Sequence, residues 1–287
     1  HIWYPEAEVA GLNSKTGYEV MNMNLGAMHN TPGDVGSYGL LYQWGRKDPF
    51  PAAPTLTGTT ATVGAPIYDG DNYVIKITNS SQSSTADNNL AFAIANPTVC
   101  LSNYAQFNTS RDWLQADMSN DALWGNPKGA ERNETNDFLN KGAKSFYDPC
   151  PVGWRVPPAD VFRNFTASGG YAWVIDDFDI ADISGDGAKS LADYDYGWTF
   201  NLSDSASSYF PAAARFDGSY AMLMGSMSGL WGSYWGNAPY PGDMFQGGAY
   251  SVLSFQIKDT AGNEMITTSP AGGGARADAY SVCCIRE

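Results

Sequence analysis

Residues Tyr147 to Pro157 read YDPCPVGWRVP. Pro149 and Pro151 bracket Cys150, and each fixes φ and removes a backbone donor, so the stretch is a rigid, non-helical turn that holds one sulfur in a defined place. Outward from it, the chain closes on RADAYSVCCIRE, Arg276 to Glu287, where Cys283 and Cys284 follow the strand-like run Ala279 to Val282. A bridge between the two regions would tie the middle of the chain to its end. Closing so long a loop stabilises by roughly 4–5 kcal/mol in the chain-entropy model.

The four cysteines, Cys100, Cys150, Cys283 and Cys284, have no C-x-x-C spacing, so disulfides are the better reading than a zinc ribbon. That implies an oxidising compartment. A bond between the adjacent Cys283 and Cys284 would close a strained ring, which leaves Cys100 and Cys150 each to pair with one of them. Sixteen basic residues against 30 acidic ones give a net charge of −14, so the field of the protein repels nucleic acid and anionic membrane surfaces. Neutral or cationic ligands suit it better. Aromatic residues at 14%, 31 Gly and 16 Pro point to a tightly turned chain with few long helices. No apolar run approaches the length of a membrane span. The opening on His1 rather than Met leads us to expect a processed protein or a fragment with an upstream domain.

Short aromatic and β-branched runs, His1 to Tyr4 and Leu40 to Trp44, read as strands. From Pro51 to Asn89 the composition turns to Thr, Ser, Ala, Asn and Gly around Asn72 to Thr78, which reads as an inserted hairpin or loop at 51–89 within one module spanning 1–287. Three helices are predicted: Ser110 to Met118, Asn133 to Asn140, and Pro158 to Phe165, the last with Val161, Phe162 and Phe165 on one face. Asp176 to Asp195 holds seven Asp, yet the ligand series of an EF-hand is incomplete, so a solvated acidic loop is the better reading. From Trp198 onward, strand-like runs such as Tyr250 to Ile257 alternate with Gly-rich turns.

Several strings in order, Val20 to Ala27, YGLLYQWGRKDPF (38–50), ANPT (95–98), LWG (123–125), YDPCPVGWRVP, GWTF (197–200), YFPAAAR (209–215) and SVCCIR (281–286), resemble Bacteroidetes surface modules related to the Fibrobacter succinogenes major paralogous domain, often joined to fimbrillin-like adhesins. The resemblance covers nearly the whole chain. It implies an α+β, C-type-lectin-like or sulfatase-modifying-factor-like fold with short twisted sheets, few helices and long loops. It also implies that Cys150 pairs with Cys284. Cys100 and Cys283 depart from the family pattern, and a second bridge between them is expected.

No catalytic constellation is visible. His1 and His29 are the only histidines, no H-E-x-x-H or G-x-S-x-G occurs, and the G-x-G-x-x-A match at Gly272 to Ala277 lacks its strand and helix. We therefore expect a module that is not an enzyme and takes no metal or cofactor. A binding role fits the aromatic content, since sugar recognition uses flat rings with a few amides and carboxylates. Trp44, Trp154, Trp198 and Trp235 read as core. In the loop Asn237 to Met244 two prolines frame Tyr240, which would display the ring, with Asn237 and Asp243 as polar partners of a ligand. Asp204-Ser205-Ala206 and Asp259-Thr260-Ala261 resemble the Asp-Ser/Thr-apolar sites that Bacteroidetes glycosylate. The expectation is a cell-surface adhesion or ligand-capture module for a glycan or surface protein, at the distal end of a fimbrial or lipoprotein chain, without membrane insertion. The alternative is a structural module that contacts its own upstream domain or another outer-surface protein.

Overall fold

The computed structural model describes residues 9–57, 66–68, 74–76, 78–80, 90–101, 112–114, 120–218, 222–241, 248–258, 263–269 and 271–287. Four strands form a small sheet in the order β1 (Gly11–Asn13), β2 (Glu19–Met21), β20 (Ile285–Arg286), β9 (Trp154–Arg155). A ten-stranded sheet runs β10 (Tyr171–Ala172), β17 (Asn263–Thr268), β16 (Gly248–Lys258), β15 (Trp231–Pro239), β19 (Ala279–Ser281), β13 (Phe216–Asp217), β14 (Met222–Leu223). β18 (Gly273–Ala275) joins it on β16, and β3 (Leu40–Gln43), carrying β4 (Pro49–Pro51), joins it on β19. Three two-stranded pieces complete the set: β5 (Pro66–Tyr68) with β6 (Val74–Lys76), β7 (Thr78–Ser80) with β8 (Val99–Leu101), and β11 (Gly197–Ser203) with β12 (Ala206–Pro211).

The expected α+β, C-type-lectin-like or sulfatase-modifying-factor-like fold is corrected to a β-rich one. The one α-helix among the described residues is α1 (Leu90–Ala95). Pro158 to Phe165 places Val161, Phe162 and Phe165 in the core as anticipated, but only Arg163–Phe165 coils, as a 3-10 turn. Phe162 at φ −110° and ψ 22° breaks the helical run, and the surrounding backbone bonds elsewhere: the Val161 carbonyl accepts from the Thr16 hydroxyl, and the Phe165 carbonyl from Asp179 N–H. Asn133 to Asn140 is a turn, because Asn133 Oδ1 accepts the N–H groups of Thr135 and Asp137 and thereby competes with a helix. Hydrogen bonds from Thr135, Arg163 and Asn133 hold the exposed Asp137 carboxyl down to about 2. Of Ser110 to Met118, residues 112–114 bend; the rest, like His1 to Tyr4, lies outside the described residues.

Cys150 and Cys284 are bonded, across 134 positions of sequence. β9 begins four residues after Cys150 and β20 directly after Cys284, and the two strands pair Ile285 with Arg155 and Arg286 with Trp154. The sulfur bridge and the ladder therefore join the same two segments. The expected second bridge is not formed: Cys100 and Cys283 are both free and buried. They lie in separate apolar clusters, Cys283 in the main core and Cys100 in a smaller one with Leu41, Phe50 and Phe216. Burial pushes both thiols up to about 12, so neither ionises near neutrality.

The turn around Cys150 is fastened from within. Asp148, fully buried, accepts the N–H of Cys150 on one oxygen and that of Val156 on the other, both at 2.8 Å. The Lys144 ammonium donates to the carbonyls of Cys150 (2.6 Å), Pro151 (3.1 Å) and Trp154 and lies 3.5 Å from Asp148 Oδ1. Trp44, Trp154, Trp198 and Trp235 are buried, and Phe162, Phe165, Phe200 and Phe210 pack ring on ring, Phe165 and Phe200 with centroids 4.2 Å apart.

Mapping of unreduced peptides should return the Cys150–Cys284 crosslink, and a thiol reagent should label Cys100 and Cys283 only after unfolding; labelling of either in the native protein would contradict their placement. Asp148→Ala should lower stability by about 2–5 kcal/mol in chemical denaturation, because it leaves the buried N–H groups of Cys150 and Val156 without acceptors. A loss below 1 kcal/mol would show that the turn holds without its carboxylate.

Candidate functional site

The ten-stranded sheet has a core side and an outward side, and the register says which residue lies on which. In antiparallel pairs, residues directly opposite one another share a face. Ala172, Ile266, Phe255 and Gly232 stand opposite one another across β10, β17, β16 and β15. The first three are buried apolar side chains of the main core. Gly232 is needed there, since a Cβ would sit 2.4 Å from the Phe255 ring.

The neighbouring rows point the other way. One row is Tyr171, Thr267, Ser254, Ser233; the next, two residues along each strand, is Met265, Gln256, Trp231. Trp173 continues the face of Tyr171 at the edge of the sheet. The two rings are 50% and 58% exposed, and they lie parallel, with 6° between their planes and 6.1 Å between centroids. Val174, also exposed, extends the apolar edge. Hydroxyls fill the middle: Trp231 Nε1 donates to Ser254 Oγ at 3.1 Å, Ser254 and Ser233 hydroxyls are 3.4 Å apart, and the buried Thr267 hydroxyl has no partner among the described residues. At the far end Arg215 stacks on Trp231, 4.6 Å from its centroid, and is matched by Asp278 at 3.8 Å and Asp217 at 3.9 Å. Three interstrand steps make this face about 14 Å across.

The acidic stretch follows at once. The 3-10 turn Ile175–Asp177 sets Asp176 and Asp177 at the surface three and four residues beyond Trp173. Residues 182–188 are exposed, but their geometry is that of turns. Asp182 accepts the N–H of Gly185 and of Gly187, and Asp186 that of Ala188. Asp193 is buried and accepts from Ile183, Ser184 and Ser190 N–H; burial pushes its carboxyl up, and these bonds outweigh it and hold the group below the usual range. The carboxylates of this loop close backbone turns.

The residues expected to contact a ligand are placed differently. Asn237 is buried, accepting from Asn126 Nδ2 at 2.9 Å and donating to the Lys141 carbonyl, so it fastens β15 to the 126–141 loop. Tyr240 is half-buried rather than displayed: its ring meets Tyr250 edge-on at 5.1 Å and lies over Gly273, where a Cβ would be 2.8 Å from it. Asp243 lies outside the described residues, as does Thr260; Ser205 sits exposed in the turn between β11 and β12. Tyr171 and Trp173 went unread because an aromatic, small, aromatic alternation looks alike on a buried and an exposed face.

A second feature is a cleft of ≈ 160 Å³ whose lining includes Leu90, Ile94 and Phe146 together with the charged residues Arg46, Lys47 and Asp48. Phe146 and Ile94 are exposed beside it, and the Lys47 ammonium lies 5.3 Å from the Phe146 ring centroid. Among the described residues no cluster of His, Cys, Asp or Glu could hold a metal ion, and no helix is long and apolar enough to cross a membrane. Comparison with protein-family models, curated proteins and solved structures finds no match.

Tyr240→Ala should lower stability by about 1–3 kcal/mol, as for a packed aromatic that leaves a void, and this is read by thermal or chemical denaturation. An unchanged midpoint would show that its ring contributes nothing to packing.

Proposed function

We propose that the chain is a noncatalytic ligand-capture module of the cell exterior, and that it holds a glycan at the exposed β10 edge of the large sheet. The half-exposed rings of Tyr171, on the edge strand β10, and of Trp173, directly after it, carry the reading. Flat apolar C–H faces of sugars pack on such rings, while hydroxyls and amides beside them exchange hydrogen bonds with sugar hydroxyls. Ser254 and Gln256, both partly exposed, lie two strands from the rings on the same side of the sheet. The Cys150–Cys284 bond fits an oxidising, extracellular setting. The strings shared with Bacteroidetes surface modules support placement on the outside of such a bacterium, at the distal end of a longer fimbrial or lipoprotein chain.

The cleft beside Phe146 favours a second reading, in which the chain is a structural module and this notch, apolar at Leu90, Ile94 and Phe146 and charged at its Lys47 and Asp48 side, receives a side chain from an upstream domain or another outer-surface protein.

A glycan array probed with the purified chain, beside a panel of mucin and matrix proteins, separates the two. Trp173→Ala should weaken binding of every glycan retained by at least about 1–3 kcal/mol and leave the denaturation midpoint nearly unchanged, since the ring is more than half exposed. Binding that survives Trp173→Ala but is lost on Phe146→Ala would favour the assembly reading.

A further inference from the structure

Resting on the assembly reading of the notch, we infer that the cleft beside Phe146 captures one apolar side chain, of phenylalanine or leucine size, from a peptide segment of another protein that carries a carboxylate at the neighbouring position. Three observations converge.

The first is capacity. The cleft holds ≈ 160 Å³, with Leu90, Ala93 and Ile94 of α1 and the Phe146 ring among its walls. A cavity of roughly 150 Å³ lined by leucine, isoleucine and phenylalanine side chains takes up one benzene. The space therefore suits a single phenyl or branched alkyl group.

The second is what stays wet around it. Phe146 is 82% exposed and Ile94 57%. A small molecule seated in the notch would leave the outer faces of both in water. A peptide whose side chain enters the notch runs its backbone and flanking residues over the rim and covers them, and apolar surface removed from water is the main source of affinity. The occupant is for that reason a segment of a chain.

The third is charge. The lining carries two cations and one carboxylate, Arg46, Lys47 and Asp48. Arg46 is spent: its side chain is 1% exposed, meets Asp48 at 3.4 Å and donates to the Val99 carbonyl at 2.6 Å. Lys47 is left over. Its exposed ammonium lies over the Phe146 ring and reaches the Phe146 carbonyl at 3.4 Å, and among the described residues it forms no ion pair. An unmatched cation thus stands at the notch of a protein whose net charge is −14. A carboxylate beside the entering side chain would meet it, and a second ammonium would be repelled. Because the wider field is acidic, the segment carries one such charge rather than a run.

The experiment is NMR shift mapping of the purified chain with blocked hexapeptides at millimolar concentration, in which one phenylalanine, leucine or alanine is followed by glutamate, glutamine or lysine. The signals read are the Ile94 methyls and the Phe146 amide. The phenylalanine–glutamate and leucine–glutamate peptides should shift both and bind at least about tenfold tighter than alanine–glutamate, which leaves the notch unfilled. Lysine in place of glutamate should cost about threefold or more, and Lys47→Glu, at an exposed position, should invert that order. Phe146→Ala should weaken the phenylalanine and leucine peptides while the denaturation midpoint holds. Trp173→Ala should change none of this, which separates the notch from the glycan edge. A preference for the lysine peptides, or a glutamate preference that survives Lys47→Glu, overturns the inference. So does equal binding of the glutamate, glutamine and lysine peptides, an outcome that leaves the assembly reading standing. No shift at Ile94 or Phe146 with any peptide removes both.

Discussion

Asp148 is the point on which the architecture turns. Burial pushes its carboxyl up, while Lys144 and the amides of Val156 and Cys150 pull it down. Both oxygens are spent on orienting the backbone at Cys150 and Val156. Two prolines alone leave the segment rigid but not placed. The carboxylate, with three carbonyls gathered on the Lys144 ammonium, sets the sulfur where Cys284 can meet it. From there β20 lies between β2 and β9, Met21 N–H bonds to the Cys284 carbonyl, and Leu25 N–H bonds to that of Val282. The start, middle and end of the chain thus converge on a few residues, and Cys283 packs inward, its thiol 3.3 Å from the Met21 carbonyl.

That convergence leaves the large sheet free to do something different on each side. Its inner rows are closed by Phe255, Ile266 and ring-on-ring packing with Phe200 and Tyr234. Its outer rows are aromatic and hydroxylic. An edge strand with large exposed rings is usually a hazard, since unpaired backbone groups invite another strand. Here β10 is two residues long and the chain turns away at Ile175–Asp177, with carboxylates that repel a second copy of an already acidic protein. The same short edge offers side-chain faces while presenting little backbone.

Acidity has two separate uses. Asp193 and Asp182 bind backbone N–H groups and shape a loop that carries no regular structure from Asp182 to Lys189. Asp176 and Asp177 instead face solvent beside the rings. Composition could not separate these roles. A carboxylate that closes a turn and one that screens a surface have identical letters.

How far the letters alone reached can be told from particular residues. Pro149, Cys150 and Pro151 announced a rigid turn holding a sulfur, and Leu40 to Trp44 and Tyr250 to Ile257 announced strands, because proline geometry and β-branched or aromatic runs act locally. The burial of Val161, Phe162 and Phe165 was legible, and their helix was not: spacing marks a shared face, while the backbone partners that replaced the helix come from Thr16 and Asp179, far off in sequence. Tyr240 was misread because framing prolines describe a loop without saying that Tyr250 and Gly273 lie against it. Tyr171 and Trp173 went unread because exposure depends on which strand is last in the sheet. Sequence by itself determined a rigid turn around one sulfur, several of the strands, an acidic composition and a surplus of rings. Only the tertiary structure decided which rings face water, since that choice is made by cross-strand register between segments nearly a hundred residues apart.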